Sequence, residues 1–185
     1  MKATRDSASS IFRWVTTSSF FFLFCAGAFA QVSREEALAR IYPGAAIRAE
    51  RVFLTQDQKK RAAAVSGLDI PSSLVARYSA EIGGRIVGRA YVDTHTIRTK
   101  NESLLICLDQ TGKIRRIEVT AFLEPPEYKA TDAWYGQFRD KALTDDLNLN
   151  RSIRPIAGAT LTATATTRAA RRVLAINQVL SGGER

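Results

Sequence analysis

Alternating hydrophobic and polar positions indicate β-sheet in the middle of the chain. Ile117, Val119 and Ala121 alternate with Glu118 and Thr120, which is the period of a strand with one buried face. Two hairpins are predicted, because pairs of strand-like runs flank short glycine turns. The paired runs are residues 74–82 with 85–92 around Gly83-Gly84, and residues 104–108 with 114–122 around Gln110-Thr111-Gly112. Neighbouring antiparallel pairs predict an α+β fold, with a twisted antiparallel sheet and flanking helices in a single domain.

Helical periodicity is found on both sides of these strands. A long amphipathic helix is predicted to begin at Thr162 or Thr164 and to end near Leu180. Ser33 and Glu36 form a capping box that opens an earlier helix. The remaining predictions are the end of that first helix at Pro43-Gly44, a strand at residues 47–54, a helix from Thr55 to about Gly67 and a short helix at residues 131–141.

The first thirty residues have the layout of a secretory signal peptide. Cations precede the uncharged run of residues 20–30, which ends in the small-x-small triplet Ala28-Phe29-Ala30. We therefore expect cleavage after Ala30 and a protein that is periplasmic or otherwise exported. A retained N-terminal anchor is the less favoured alternative, because the uncharged residues 14–31 just reach the length of a membrane span.

Composition adds a strong positive charge. The formal net charge of the 185-residue chain is +9, and removing residues 1–30 takes away three cations and one acid, which leaves +7. A basic balance favours acidic partners such as nucleic acid, anionic lipid or a phosphate-bearing ligand. Cys107 lies in an apolar run and is expected to be a buried small hydrophobe. His95 is the one histidine, so no histidine-based metal cluster is predicted, and it is expected in a loop or on an exposed strand face.

One segment near the C-terminus suits a bound anion. Residues 156–162 are small and lead into the long helix. Gly158 and Ala159 leave room for close approach to the backbone, and the helix start offers free N–H groups and the positive end of its dipole. Thr160 and Thr162 add hydroxyl groups. The alternative is that a threonine here only caps the helix.

The run Gly158-Ala159-Thr160-Leu161-Thr162 resembles the Ser/Thr-Gly-Ala-Thr-x-Ser/Thr signature of FMN-binding domains. These include the small flavin subunits of Rnf-type and sodium-pumping quinone reductase complexes, and stand-alone exported flavoproteins. The resemblance implies that FMN is joined through its phosphate to the hydroxyl of Thr160. A separate flavin transferase would make the bond from FAD with a divalent metal. Ala157 and Arg154 depart from the Ser/Thr and Asp that the family usually has at those positions.

The likeness spans roughly Leu74 to Leu180. Residues 74–185 would form the FMN-binding domain, with residues 31–73 as an N-terminal extension of helix and strand. Glu124 resembles the glutamate of the family's Glu-x-Pro segment, which lines the flavin, and Tyr128 and Trp134 are further candidates for the ring. The cofactor-binding residues that the resemblance implies are Gly158, Ala159, Thr160, Leu161, Thr162 and Glu124.

The resemblance implies a covalent-flavin electron carrier associated with a membrane complex rather than a stand-alone enzyme. The expected partners are the flavin transferase and a membrane-bound or periplasmic redox partner, with no nucleic acid. The alternative is a cofactor-free exported binding or interaction domain that uses its basic surface. A third reading is an enzyme subunit whose substrate site is on another chain.

Overall fold

The computed structural model describes residues 33–183. The predicted signal peptide and its cleavage site lie outside these residues. No helix among them is long and apolar enough to cross a membrane. The elements are α1 (Arg34–Ile41), β1 (Ala46–Phe53), α2 (Gln56–Ser66), β2 (Leu74–Ile82), β3 (Arg85–Thr96), β4 (Asn101–Asp109), β5 (Ile114–Phe122), α3 (Asp132–Tyr135) and α4 (Thr160–Gly183), with 3₁₀ turns at Pro126–Tyr128 and Gly136–Phe138.

The strands form one antiparallel sheet in the order β1-β2-β3-β4-β5. The predicted α+β class, with an antiparallel sheet and flanking helices, is therefore confirmed for the described residues. Gly83 and Gly84 join β2 to β3 with φ of 57° and 76°, the left-handed geometry that a tight two-residue hairpin turn needs. Strand β1 pairs with β2 from Ala46 opposite Glu81 to Phe53 opposite Leu74, so part of the predicted N-terminal extension belongs to the same sheet.

The middle of the sheet is buried on both faces. One face packs against α4, where Tyr91, Leu104 and Ile106 lie in the same core as Val173 and Leu174. The other face packs against α1 and the residue that follows it, and this second core consists of Ala37, Leu38, Ile41, Tyr42, Ala80, Ala90, Leu105 and Cys107. Because neighbouring β4 residues point into opposite cores, the strand is a continuous apolar run and not an alternating one.

Cys107 is buried as the sequence predicts and has no disulfide partner among the described residues. Burial raises the pKa of its thiol to about 12. The residue therefore stays protonated at neutral pH and acts as a packing residue.

The short helix predicted for residues 131–141 ends early. Only Asp132–Tyr135 is α-helical, and a 3₁₀ turn follows. The next residues leave the helix because they pair with the edge of the sheet: Asp140 N–H donates to Ile114 O at 2.7 Å, and Ile114 N–H donates to Lys141 O at 2.9 Å. Asp140 reaches this geometry with a φ of 61°.

Gly88 is predicted to tolerate no side chain. A Cβ added there would lie 2.3 Å from Tyr42 Cε1 and 2.6 Å from Leu108 O. The Tyr42 hydroxyl also donates to Leu108 O at 2.8 Å, so the ring cannot move away without losing a buried hydrogen bond. We expect Gly88→Ala to lower the free energy of unfolding by about 3 kcal/mol, measured by urea denaturation.

The matched control is Gly136→Ala. A Cβ at Gly136 meets nothing within 4 Å, and its φ of −57° is open to any residue. This substitution should leave stability unchanged or raise it by a few tenths of a kcal/mol. Equal losses for the two variants would contradict the close contact of Gly88 with Tyr42.

Candidate functional site

A cavity of about 200 Å³ lies where the start of α4 meets the β3–β4 turn and the segment after β5. Its walls bring together residues that are far apart in the sequence. All six predicted cofactor-binding residues are among those that line it, which are Ile97, Arg98, Glu124, Tyr128, Gly158, Ala159, Thr160, Leu161 and Thr162. Ala157 and Arg154, the departures from the motif, do not line the cavity.

The start of α4 forms one wall. Gly158 has a φ of 80°, which turns the chain sharply into the helix. Ala159, the residue before the first helical residue Thr160, has no side-chain oxygen to accept a hydrogen bond from the first turn. The expectation that a threonine caps the start of this helix is therefore wrong. The N–H groups of the first turn belong to Thr160, Leu161 and Thr162, and all three residues line the cavity.

The two cavity threonines differ in the state of their hydroxyl groups. Thr162 is 1% exposed, and its hydroxyl donates to Tyr128 O at 2.8 Å, which ties the 3₁₀ turn after β5 to α4. Thr160 is exposed, and its hydroxyl makes only a long contact of 3.4 Å to Ile156 O. The Thr160 hydroxyl is therefore the one of the two that is open to reaction.

Glu124 forms the opposite wall and holds the β3–β4 turn. Its Oε1 accepts hydrogen bonds from the N–H groups of Arg98, Thr99 and Lys100 at 3.1, 2.7 and 2.8 Å. These bonds, from Thr99 and Lys100 above all, hold the pKa of the Glu124 carboxyl below its usual range. The ionised carboxylate thus acts as an anchor that sets Ile97 and Arg98 against the cavity.

Arg98 and Tyr128 supply a cation and an aromatic ring. The Arg98 guanidinium carbon lies 5.9 Å from the centre of the Tyr128 ring. Sequence reasoning did not identify Arg98, because nothing in the local pattern shows which turn faces α4. Trp134, the other candidate for the ring, is instead in the core, where it makes T-shaped ring contacts with Tyr135 and Phe138 and its Nε1 donates to Arg154 O.

A buried ionic cluster lies next to this cavity along both β3 and α4. His95 Nδ1 is 2.8 Å from Asp93 Oδ1, and its Nε2 is 3.1 Å from Glu102 Oε2. The prediction that His95 is exposed is wrong, because its side chain is only 11% exposed. Burial by itself would lower the pKa of His95, but the hydrogen bonds and charges of the two carboxylates outweigh it and raise the pKa to about 9. The imidazole is therefore positively charged at neutral pH.

The rest of the cluster satisfies the two carboxylates. Glu102 is fully buried, and it accepts hydrogen bonds from the hydroxyl groups of Tyr135 at 3.0 Å and Thr166 at 3.3 Å. Asp93 accepts two hydrogen bonds from Arg172 of α4, at 2.8 and 3.1 Å. The cations His95 and Arg172 therefore balance the anions Asp93 and Glu102. Together these four side chains fix the β3–β4 hairpin to α4. The hairpin turn and the start of α4 are the two sides of the cavity, so the cluster supports the shape of the site.

The described residues thus form a small α+β protein, with a cavity at the start of a helix that is suited to an anion. Comparison of the chain with models of protein families, with curated proteins and with solved structures finds no match. Function is therefore inferred from the cavity and from the motif on its wall.

Proposed function

We propose that this protein is an exported flavoprotein that carries FMN, bonded through its phosphate to Thr160, and serves in extracytoplasmic electron transfer. One observation supports this most directly. The motif residues 158–162 and the distant Glu124 line the same cavity, and Thr160, whose hydroxyl would be modified, is an exposed residue there.

The donors around the motif fit a phosphate. The first-turn N–H groups of α4 and the positive end of its dipole favour an anion. Gly158 adds no side chain that would block the approach. Arg98 would contribute a positive charge from the opposite side of the cavity.

The cavity is too small to enclose a whole flavin, so the cofactor would be only partly enclosed. Pockets that surround a drug-sized ligand measure about 300–1,000 Å³, and this one measures about 200 Å³. A flavin held here would keep part of its surface accessible to a redox partner. Ile97, Leu161 and Tyr128 would supply the apolar and aromatic contacts.

Attachment requires a transferase and a donor. The Thr160 oxygen would form a bond to the FMN phosphorus of FAD, the bond from that phosphorus to AMP would break, and the hydroxyl would lose its proton. The bound FMN supplies one- and two-electron chemistry, while the protein orients it and limits its exposure. The covalent bond would keep the cofactor from diffusing away outside the cytoplasm.

The test is to export the full chain from a host with and without a flavin transferase. With the enzyme, we expect flavin fluorescence that survives denaturing electrophoresis, and a mass increase equal to FMN less one water. Without it, both signals should be absent. If the wild-type chain stays unlabelled by a transferase that labels a second substrate in the same cells, the proposal is wrong.

A further inference from the structure

We propose a second binding site, for an anionic phosphoryl group, in a groove apart from the motif cavity. This arginine groove has a volume of about 410 Å³ and is lined by Arg40, Ile41, Arg115, Arg116, Arg139 and Asp140. It shares no lining residue with the motif cavity, so it stands whether or not the protein carries flavin.

Three separate elements bring the arginines together. Arg40 is in the last turn of α1, where the neighbouring Ile41 is buried in the second core and fixes the helix end. Arg115 and Arg116 lie at the start of β5. Arg139 lies in the segment that pairs with Ile114. The backbone hydrogen bonds of Ile114 therefore hold the third side of the groove in place.

The groove has more cations than its own carboxylates neutralise. Glu118 Oε1 accepts from Arg40 at 2.7 Å and also from Arg116, so one carboxylate serves two guanidinium groups. Arg115 lies over the ring of Tyr42, with 5.5 Å between the guanidinium carbon and the ring centre. Within residues 33–183, neither Arg115 nor Arg139 has a carboxylate partner.

Charge and geometry together select the ligand class. The four arginines outnumber the carboxylates of Glu118 and Asp140, and of Asp132, which lines a neighbouring pocket with three of the same arginines, so the groove keeps an excess of positive charge that favours an anionic ligand. Guanidinium groups bind carboxylate and phosphate oxygens in pairs. Arginines that approach from three sides suit the tetrahedral oxygens of a phosphoryl group better than the two coplanar oxygens of a carboxylate. The volume is also within the range of ligand pockets.

The phosphoryl group has two possible sources, a free phosphate compound and a lipid headgroup. Calorimetric titration of the exported protein with inorganic pyrophosphate tests the first. Flotation with vesicles of phosphatidylglycerol, against phosphatidylcholine alone, tests the second. We expect binding by at least one probe, weakening as salt is raised.

The test variant is Arg115→Gln with Arg139→Gln, which removes the two arginines without carboxylate partners. The control is Arg51→Gln with Arg85→Gln, because both residues are exposed on strands outside the groove and the net charge falls equally. For the probe that binds, we expect the groove variant to lose at least tenfold in affinity and the control to stay within twofold. Thermal unfolding checks that both variants remain folded.

The outcomes separate the sources and can overturn the site. If the groove variant loses affinity for pyrophosphate alone, the ligand is a free phosphate compound. If it loses affinity for vesicles alone, the ligand is a lipid headgroup. Equal losses in the two variants, no binding of either probe, or tighter binding of polyglutamate than of pyrophosphate would each overturn the proposal.

Discussion

Thr160→Ala should abolish covalent flavin attachment completely, whereas Thr160→Ser should retain most of it. The bond needs a hydroxyl oxygen at this position, and serine supplies one while alanine does not. The exposed position of Thr160 makes the readout clean, since exposed substitutions usually change stability by less than about 0.5 kcal/mol. In-gel fluorescence and intact mass after co-expression with a flavin transferase measure the result.

Thr164→Ala is the matched control. Thr164 is also in the first turns of α4, and its hydroxyl donates to Thr160 O at 2.8 Å, but it does not line the cavity. This variant should keep its flavin. A Thr160→Ala chain that still acquires covalent flavin would move the bond to another residue, and peptide mapping would find it. Equal loss in both threonine variants would point to a damaged helix start rather than to a missing acceptor.

Local patterns were enough to predict two of the hairpins in the sheet. The glycine pair at 83–84 and the alternation from Ile117 to Ala121 depend on neighbouring residues only, and the structure confirms both hairpins. Capping boxes at Ser33 and Thr55 likewise mark helix starts through contacts three residues apart. Such features are predictable because the interactions that cause them lie within a few positions of each other.

The motif wall of the cavity was predictable for the same reason, but its other wall was not. Residues 94–96 and 101–103 are polar, so sequence reasoning ended the β3 and β4 strands short of them. In the structure these residues face one another across the hairpin, with Thr94 opposite Ser103, His95 opposite Glu102 and Thr96 opposite Asn101. Polar residues remain in the strands here because each finds its partner across the pair. The ionic cluster could not be predicted either, because it depends on that pairing and its members come from four different elements.

Glu102→Ala is expected to have the largest effect on stability, a loss of about 3–5 kcal/mol in the free energy of unfolding. It would remove a fully buried carboxylate and leave the charged His95 without one of its two anions. The hydroxyl groups of Tyr135 and Thr166 would lose their acceptor as well. Since the free energy of unfolding of a typical domain is about 5–15 kcal/mol, the variant would lose a large fraction of its stability. Urea denaturation at pH 7 measures the loss.

Glu81→Ala is the matched control for the removal of a paired glutamate. Glu81 is on β2, its side chain is 26% exposed, and it lies 3.7 Å from Arg48. Water screens such a pair, so this substitution should cost no more than about 1 kcal/mol. Similar losses for the two variants would contradict the assignment of Glu102 as the buried centre of the cluster.

A double-mutant cycle with His95→Ala shows whether the cluster acts as a unit. Removing both partners leaves no uncompensated charge between them, so the double variant should lose less stability than the sum of the two single losses, by about 1–3 kcal/mol. Additive losses would mean that His95 and Glu102 contribute independently. Because the cluster joins the β3–β4 hairpin to α4, the same variants should also weaken flavin attachment at Thr160 while leaving its hydroxyl in place. Intact mass should then show partial labelling in these variants, against no labelling in Thr160→Ala.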